Sequence, residues 1–136
     1  MISKTGLHAI RALVELAALP EGSYAGASNI AKQIGAPQNY LGKLLQVLSR
    51  AGVVVSQKGV GGGFRLAKKA EATSLYEVID PIDPIEHVVR WKGCFLGGPK
   101  CSPKRSCKAH KSWTVAREAY LKFLKETSIA DLSAGS

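Results

Sequence analysis

Four glycines crowd into residues 59–63, between the β-branched run Val53-Val54-Val55 and the stretch Gly63-Phe64-Arg65-Leu66. Short apolar runs that flank a glycine cluster read as two strands of a hairpin. Gln57-Lys58-Gly59-Val60-Gly61-Gly62 is then its tip, with a basic residue at the apex. Glycine there permits positive φ and lets the backbone come close to another molecule. A phosphate-cradling loop is the competing reading. It fails because no Gly-Lys-Ser/Thr follows and no helix begins there.

What precedes the hairpin is helical. Leu7, Ile10, Leu13, Val14, Ala17 and Ala18 recur at three- and four-residue spacing over residues 3–19, and Pro20-Glu21-Gly22 ends the pattern. His8, Arg11 and Glu15 interrupt the apolar run, so these residues form an amphipathic helix rather than a secretory signal, and a cytoplasmic protein is expected. A short helix is predicted over Ser28 to Ile34, with Ser28 as its N-cap. Gly35-Ala36 makes a turn. A third helix starts with Pro37 in its first turn and runs to about Arg50, burying Leu41, Leu44, Leu45 and Leu48. Helix, glycine turn, helix is the helix-turn-helix pattern, and a hairpin directly after its second helix is a wing. The expected class is mainly α with a small β-hairpin wing, a winged helix-turn-helix.

The charge distribution agrees. Between Glu21 and Glu71 there is no acid but seven basic residues: Lys32, Lys43, Arg50, Lys58, Arg65, Lys68 and Lys69. A second acid-free stretch runs from His87 to Arg117. One-sided charge of this kind is the footprint of a polyanion-binding surface, while a merely solvated basic face is the plainer alternative. No paired carboxylates, nucleophile–base pair or phosphate loop supports an enzyme or a small-molecule substrate. No run is long enough to span a membrane.

Downstream, Leu75, Val78 and Ile79 fit a small helix over Ser74 to Asp80, and Pro81 and Pro84 break the chain. Cys94, Cys101 and Cys107 then fall within a glycine- and proline-rich loop. Three crowded cysteines do not make a disulfide framework, and they favour a metal or redox site. Thiolates suit iron–sulfur clusters, zinc or copper(I). Zinc usually takes cysteines in closer pairs, a thiol switch would leave one cysteine idle, and unligated exposed thiols oxidise. From Ser112 the stripe Trp113, Ala116, Tyr120, Phe123, Leu124, Thr127 marks a helix of about four turns, read as a dimerisation helix in preference to one that packs only on its own domain. The expected organisation is a DNA-binding unit over 1–80, a cysteine-bearing loop over 81–111, and a dimerisation helix and tail over 112–132.

Val55 to Ala67, read as Val-Ser-Gln-Lys-Gly-Val-Gly-Gly-Gly-Phe-Arg-Leu-Ala, resembles the wing signature of the Rrf-type winged-helix transcriptional regulators. Ile30 to Gly35 with Pro37 to Leu41, the three-cysteine loop, and Ile129-Ala130-Asp131-Leu132 are similar to further parts of that family. The resemblance covers essentially the whole chain. It implies a homodimeric repressor or activator, with long helices cross-packed between subunits, whose DNA affinity depends on an iron–sulfur cluster. His110 follows Cys107 by the Cys-x2-His step found in the family, which makes it the first choice of fourth ligand and favours [2Fe–2S] over [4Fe–4S]. His8 stands about where some relatives draw a ligand from the partner subunit, and His87 is a further candidate. Zinc is the alternative metal. The first cysteine gap, six residues, is one longer than in many cluster-bearing relatives.

For double-stranded DNA the candidate contacts are Ser28, Gln38, Asn39, Tyr40, Lys43, Lys58, Gly59, Gly61, Gly62 and Arg65. Gln38 and Asn39 carry donor–acceptor pairs that can read adenine, although amides at a helix start are also ordinary caps. Tyr40 either packs or reaches a phosphate. Lys58 stands where the family usually has arginine, and without the planar fork its contact is expected at phosphate. A symmetric dimer requires a pseudo-palindromic operator. A basic protein that binds nucleic acid without sequence preference is the alternative class.

Overall fold

The computed structural model describes residues 2–85 and 108–133. His87, Cys94, Cys101 and Cys107 lie outside the described residues, and so does most of the segment expected to form the cysteine-bearing loop. The first helix, α1, spans Lys4–Ala17, and the Ser3 hydroxyl caps it by accepting the Gly6 N–H at 3.0 Å. It buries Ala9, Ile10, Ala12, Leu13 and Leu16. Leu7, expected in that stripe, is 41% exposed. The inward row instead runs through Ala9 and Ala12, whose small side chains let neighbouring backbones close in. Around α1 pack the second and third helices, the second strand, the short helix Leu75–Ile79 and the last helix.

α2 spans Ala27–Ile34 and α3 spans Gln38–Arg50. Gly26, extended at φ −75° and ψ 153°, is the cap of α2, and no side chain bonds there. Ser28 is therefore inside the helix rather than its N-cap. The reason is that Ala25 is drawn into strand pairing, so the chain turns helical two residues earlier than a serine cap would require. Gly35, left-handed at φ 70°, ends α2 and returns its N–H to the Ala31 carbonyl. Pro37 then caps α3, which buries Leu41, Leu44, Leu45 and Leu48 as its spacing predicts.

The wing consists of β1, Val54–Gln57, and β2, Gly63–Leu66, paired antiparallel from Val54 opposite Leu66 to Gln57 opposite Gly63. Val53 is buried just ahead of β1 and outside it. A third segment joins them. Ala25 and Phe64 exchange both backbone hydrogen bonds, at 2.9 and 2.8 Å. Gly63 makes that approach feasible: it sits at φ +139°, and a Cβ there would stand 2.4 Å from the Ala25 carbonyl oxygen.

After the 3-10 turn Ala70–Ala72, α4 spans Leu75–Ile79 with Ser74 accepting the Glu77 N–H. α5 runs Ala109–Glu126, starting three residues ahead of the expected Ser112, and α6 spans Ile129–Ser133. Thr127 is the C-cap of α5 rather than its last stripe residue. Its carbonyl accepts the Leu75 N–H at 2.9 Å, and the Ile129 N–H reaches the Thr73 carbonyl at 2.9 Å. Leu124 and Ile129 are fully buried in the same cluster as Leu13, Ile30 and Leu45. The remaining expected stripe of α5 is drier on paper than in space, since Ala116 is exposed and Phe123 is 47% exposed. Among the described residues no helix is long and apolar enough to cross a membrane.

Two outcomes follow from this packing. Gly63→Ala should cost about 2–3 kcal/mol in urea unfolding followed by circular dichroism, because strain and a backbone clash combine. Gly59→Ala, also at positive φ but with nothing near its added Cβ, should cost about 1 kcal/mol. Burial, and then the charge of Asp83, raise the Tyr120 phenol above its ordinary 10.0. Folding thus favours the neutral phenol. The stability this contributes is complete below pH 10 and is lost as pH rises through the folded value, so Tyr120→Phe should flatten the alkaline fall of the melting temperature.

Candidate nucleic-acid interface

α3 turns one face to the core and the opposite face outward. Asn39, Lys43, Gln46 and Arg50, at steps of four, three and four, are all exposed on the outward side. They line an open groove of about 760 Å³ that also takes in Gln38, Ala27 and Phe64. Gly42 lies along it, and the site of its missing Cβ is 3.9 Å from the Ala27 Cβ. A side chain at this position would fill the groove between α2 and α3. Lys43 and Arg50 supply positive charge, and among the described residues no acid lines the groove.

The start of α3 adds to this. Pro37 provides no N–H and no side-chain cap, and the first turn contains no acid. The leading N–H groups and the positive end of the helix dipole are therefore unopposed, a setting that attracts an anion. Sequence reasoning reached Gln38, Asn39 and Lys43 but stopped short of Gln46 and Arg50. Their helical spacing from Lys43 was the signal.

The wing stands beside this face. Lys58 follows β1 directly and is exposed, as are Gly59, Val60 and Gly61. Gly59 and Gly61 adopt φ of 96° and 78°. Gly62 is required by closeness, because a Cβ would lie 2.2 Å from the Gln57 carbonyl oxygen. Arg65 is half-buried, its guanidinium 4.9 Å over the Tyr24 ring. Lys68 turns to Glu77 at 2.7 Å on the surface.

Two expected site residues meet each other. Tyr40 is half-buried, and its hydroxyl lies 3.2 Å from His8 Nδ1 on α1, with the rings edge to face at 5.5 Å. Ser28 is half-buried in the first turn of α2. His110 is half-buried in the first turn of α5, the one histidine of the expected ligand set besides His8 that is described. Among the described residues no three His, Cys, Asp or Glu side chains gather into a metal-holding group.

Residues 2–135 match the family described as "Rrf2: Iron-dependent Transcriptional regulator". This chain belongs to the Rrf2 family of transcriptional regulators. Solved structures agree on the fold. CymR (YrzC), the global cysteine regulator of B. subtilis, is 21% identical with a TM-score of 0.81, covering 100% of this chain and 98% of that one. T. potens IscR is 22% identical with a TM-score of 0.74, covering 99% and 87%. The oxidised form of Staphylococcus aureus CymR is 22% identical with a TM-score of 0.74, covering 98% and 95%. As in these Rrf2 relatives, the fold of this chain is the winged helix, mainly α with one hairpin.

Proposed function

We propose that this Rrf2 chain is a sequence-specific DNA-binding repressor or activator, not an enzyme, that works in the cytoplasm as a homodimer under the control of an iron–sulfur cluster. The observation that carries the DNA reading is the groove on α3. An exposed polar and basic stripe and an uncapped helix start belong to this groove, Phe64 of the wing lines it, and the wing tip carries an exposed Lys58. Gln38 and Asn39 would meet base edges in the major groove. Lys43, Arg50 and Lys58 would meet phosphates, and Gly59, Gly61 and Gly62 would let the wing backbone approach the duplex. Arg65 and Ser28, both half-buried, would contact the backbone at the margins.

Residues 1–80 would form the DNA-binding unit, 81–111 the ligand loop and 112–132 the dimerising part. Three cysteines with one imidazole suit a cluster chemically, since thiolates select iron–sulfur and imidazole also binds iron. Cys94, Cys101 and Cys107 would hold it, with His110 as fourth ligand and [2Fe–2S] the favoured form. His8 is tied to Tyr40 within its own chain, which favours His110 over it. When bound, a cluster supplies a charged, redox-active body whose state depends on iron supply and oxidants. Residues 92–110 run directly into α5, so a change in their shape reaches the dimer helix and the spacing of the two α3 helices. Coupling of about 1–3 kcal/mol, or 5- to 150-fold in DNA affinity, is expected.

Two measurements test this reading. Anaerobic purification followed by iron, sulfide and zinc analysis should find matched iron and sulfide with visible absorption. The absorption should be lost in the triple Cys94→Ala, Cys101→Ala, Cys107→Ala variant and weakened in His110→Ala. Zinc without sulfide would replace the cluster by a zinc site, and a colourless, metal-free protein would leave a thiol switch. Titration of a selected operator duplex at several salt concentrations tests the DNA face. Lys43→Ala and Lys58→Ala should each lower the log–log salt slope by about 0.9 and weaken operator and random duplex alike. Asn39→Ala should instead lose about tenfold on operator alone. Equal binding of operator and random duplex by the wild type would make this a non-specific basic binder.

A further inference from the structure

The contact between His8 and Tyr40 joins α1 to the reading end of α3 across 32 residues of sequence. Tyr40 stands about 100° around the helix from Asn39, and its i+4 neighbour is the buried Leu44. It thus lies at the edge between the outward stripe and the core. Its hydroxyl is 3.2 Å from His8 Nδ1 and its ring meets the imidazole edge to face, so one side chain is fixed by two different interactions. The first turn of α3 has little else of this kind. Pro37 contributes no side-chain cap bond, and Gln38 and Asn39 are both exposed. Leu41 anchors the turn to the core but, being apolar, does not fix its orientation as a directional hydrogen bond does.

The geometry points to His8 and Tyr40 as positioning residues for sequence reading, a brace that holds the first turn of α3 so that Gln38 and Asn39 present one fixed geometry to DNA. The inference rests on the DNA-binding reading above and adds to it the residues that set selectivity without touching a base. Loss of the brace leaves phosphate contacts by Lys43, Arg50 and Lys58 in place, because they lie on the outward stripe and the wing. Random-duplex affinity and the salt slope therefore stay as they are. What falls is the preference for operator, since base contacts tolerate only small misplacement while a phosphate contact by a long lysine does not need it.

The test is a double-mutant cycle read as the ratio of operator to random-duplex affinity. The operator is selected from a random pool by the wild-type protein, and binding is followed by fluorescence anisotropy at fixed salt. Tyr40→Phe removes one hydroxyl and keeps the ring, and His8→Leu removes the imidazole. Each should lower the ratio about threefold to tenfold, in line with one hydrogen bond, and the double variant should fall no further. Melting temperature is recorded for every variant. If His8→Leu does not fold, His8→Phe takes its place in the cycle, and Tyr40→Phe still carries the test alone. Additive losses, an unchanged ratio in Tyr40→Phe, or a salt slope that drops by about one in that variant, marking a phosphate contact, would each overturn the brace. A wild-type protein that shows no preference for any duplex would overturn the regulator reading, and the brace with it.

Discussion

The exchange of two backbone hydrogen bonds between Ala25 and Phe64 decides how the parts of this protein are presented together. A two-stranded hairpin by itself is marginal in water and would leave the wing free to swing. Pairing β2 with the segment ahead of α2 adds a third strand position and seats Phe64 at 8% exposure against the core. Tyr24, next to Ala25, then lies under the Arg65 guanidinium, next to Phe64. Two neighbouring residues on each segment are thereby coupled, one pair through the backbone and one through a cation–π contact. All of it depends on Gly63, because any Cβ would occupy the Ala25 carbonyl. Since the same short segment leads into α2, the wing and the helix-turn-helix are fixed to each other within two residues of chain.

That constraint explains what the sequence made legible and what it hid. Leu41, Leu44, Leu45 and Leu48 formed a helical stripe that tertiary packing had no reason to override, and α3 appears where its periodicity placed it. The glycine cluster likewise announced the hairpin tip, and the register confirms Gly63-Phe64-Arg65-Leu66 as the returning strand. The pairing of Ala25 had no such signal. A single residue in extended conformation leaves no alternation to detect, and its consequence, a cap at Gly26 instead of Ser28, was equally hidden. In α1 the eye is drawn to leucines, yet the interior took Ala9 and Ala12 and left Leu7 half out, because close packing against several neighbours rewards small residues. The approach of His8 to Tyr40 was beyond reach for another reason. His8 read as a candidate ligand and Tyr40 as a group that packs or reaches a phosphate, and only the crossing of α1 and α3 brings them together.

Charge was readable in kind but not in detail. The acid-free run from residue 22 to 70 marked a basic half of the chain, and the groove along α3 carries Lys43 and Arg50. Not every basic residue in that run serves the same face. Lys68 is held by Glu77, an exposed pair of little energetic weight that nevertheless aims the ammonium at its own domain. Arg65 lends its guanidinium to Tyr24. The cations left outward along the groove, unpaired with another side chain among the described residues, form a narrower set, Lys43 and Arg50, while the positive end of the α3 dipole lies at its uncapped start, at the opposite end of the helix from Arg50.

The long α5 supplies the other half of the design. At its C-terminal end it is fixed: Leu124 is fully buried, and the Thr127 carbonyl accepts the Leu75 N–H at the start of α4. Over the rest of its 18 residues, about 27 Å of helix, it buries no other side chain completely. Val115 at 63% and Phe123 at 47% exposure stand eight residues apart on one face, with Ala116 and Ala119 between them. An apolar strip with small residues at its middle suits a second helix packed closely across it, and a two-fold axis through that contact would pair each strip with its copy. Burying one valine or phenylalanine is worth about 1.5–3 kcal/mol. That is the same size as the coupling free energy expected between a sensing site and DNA.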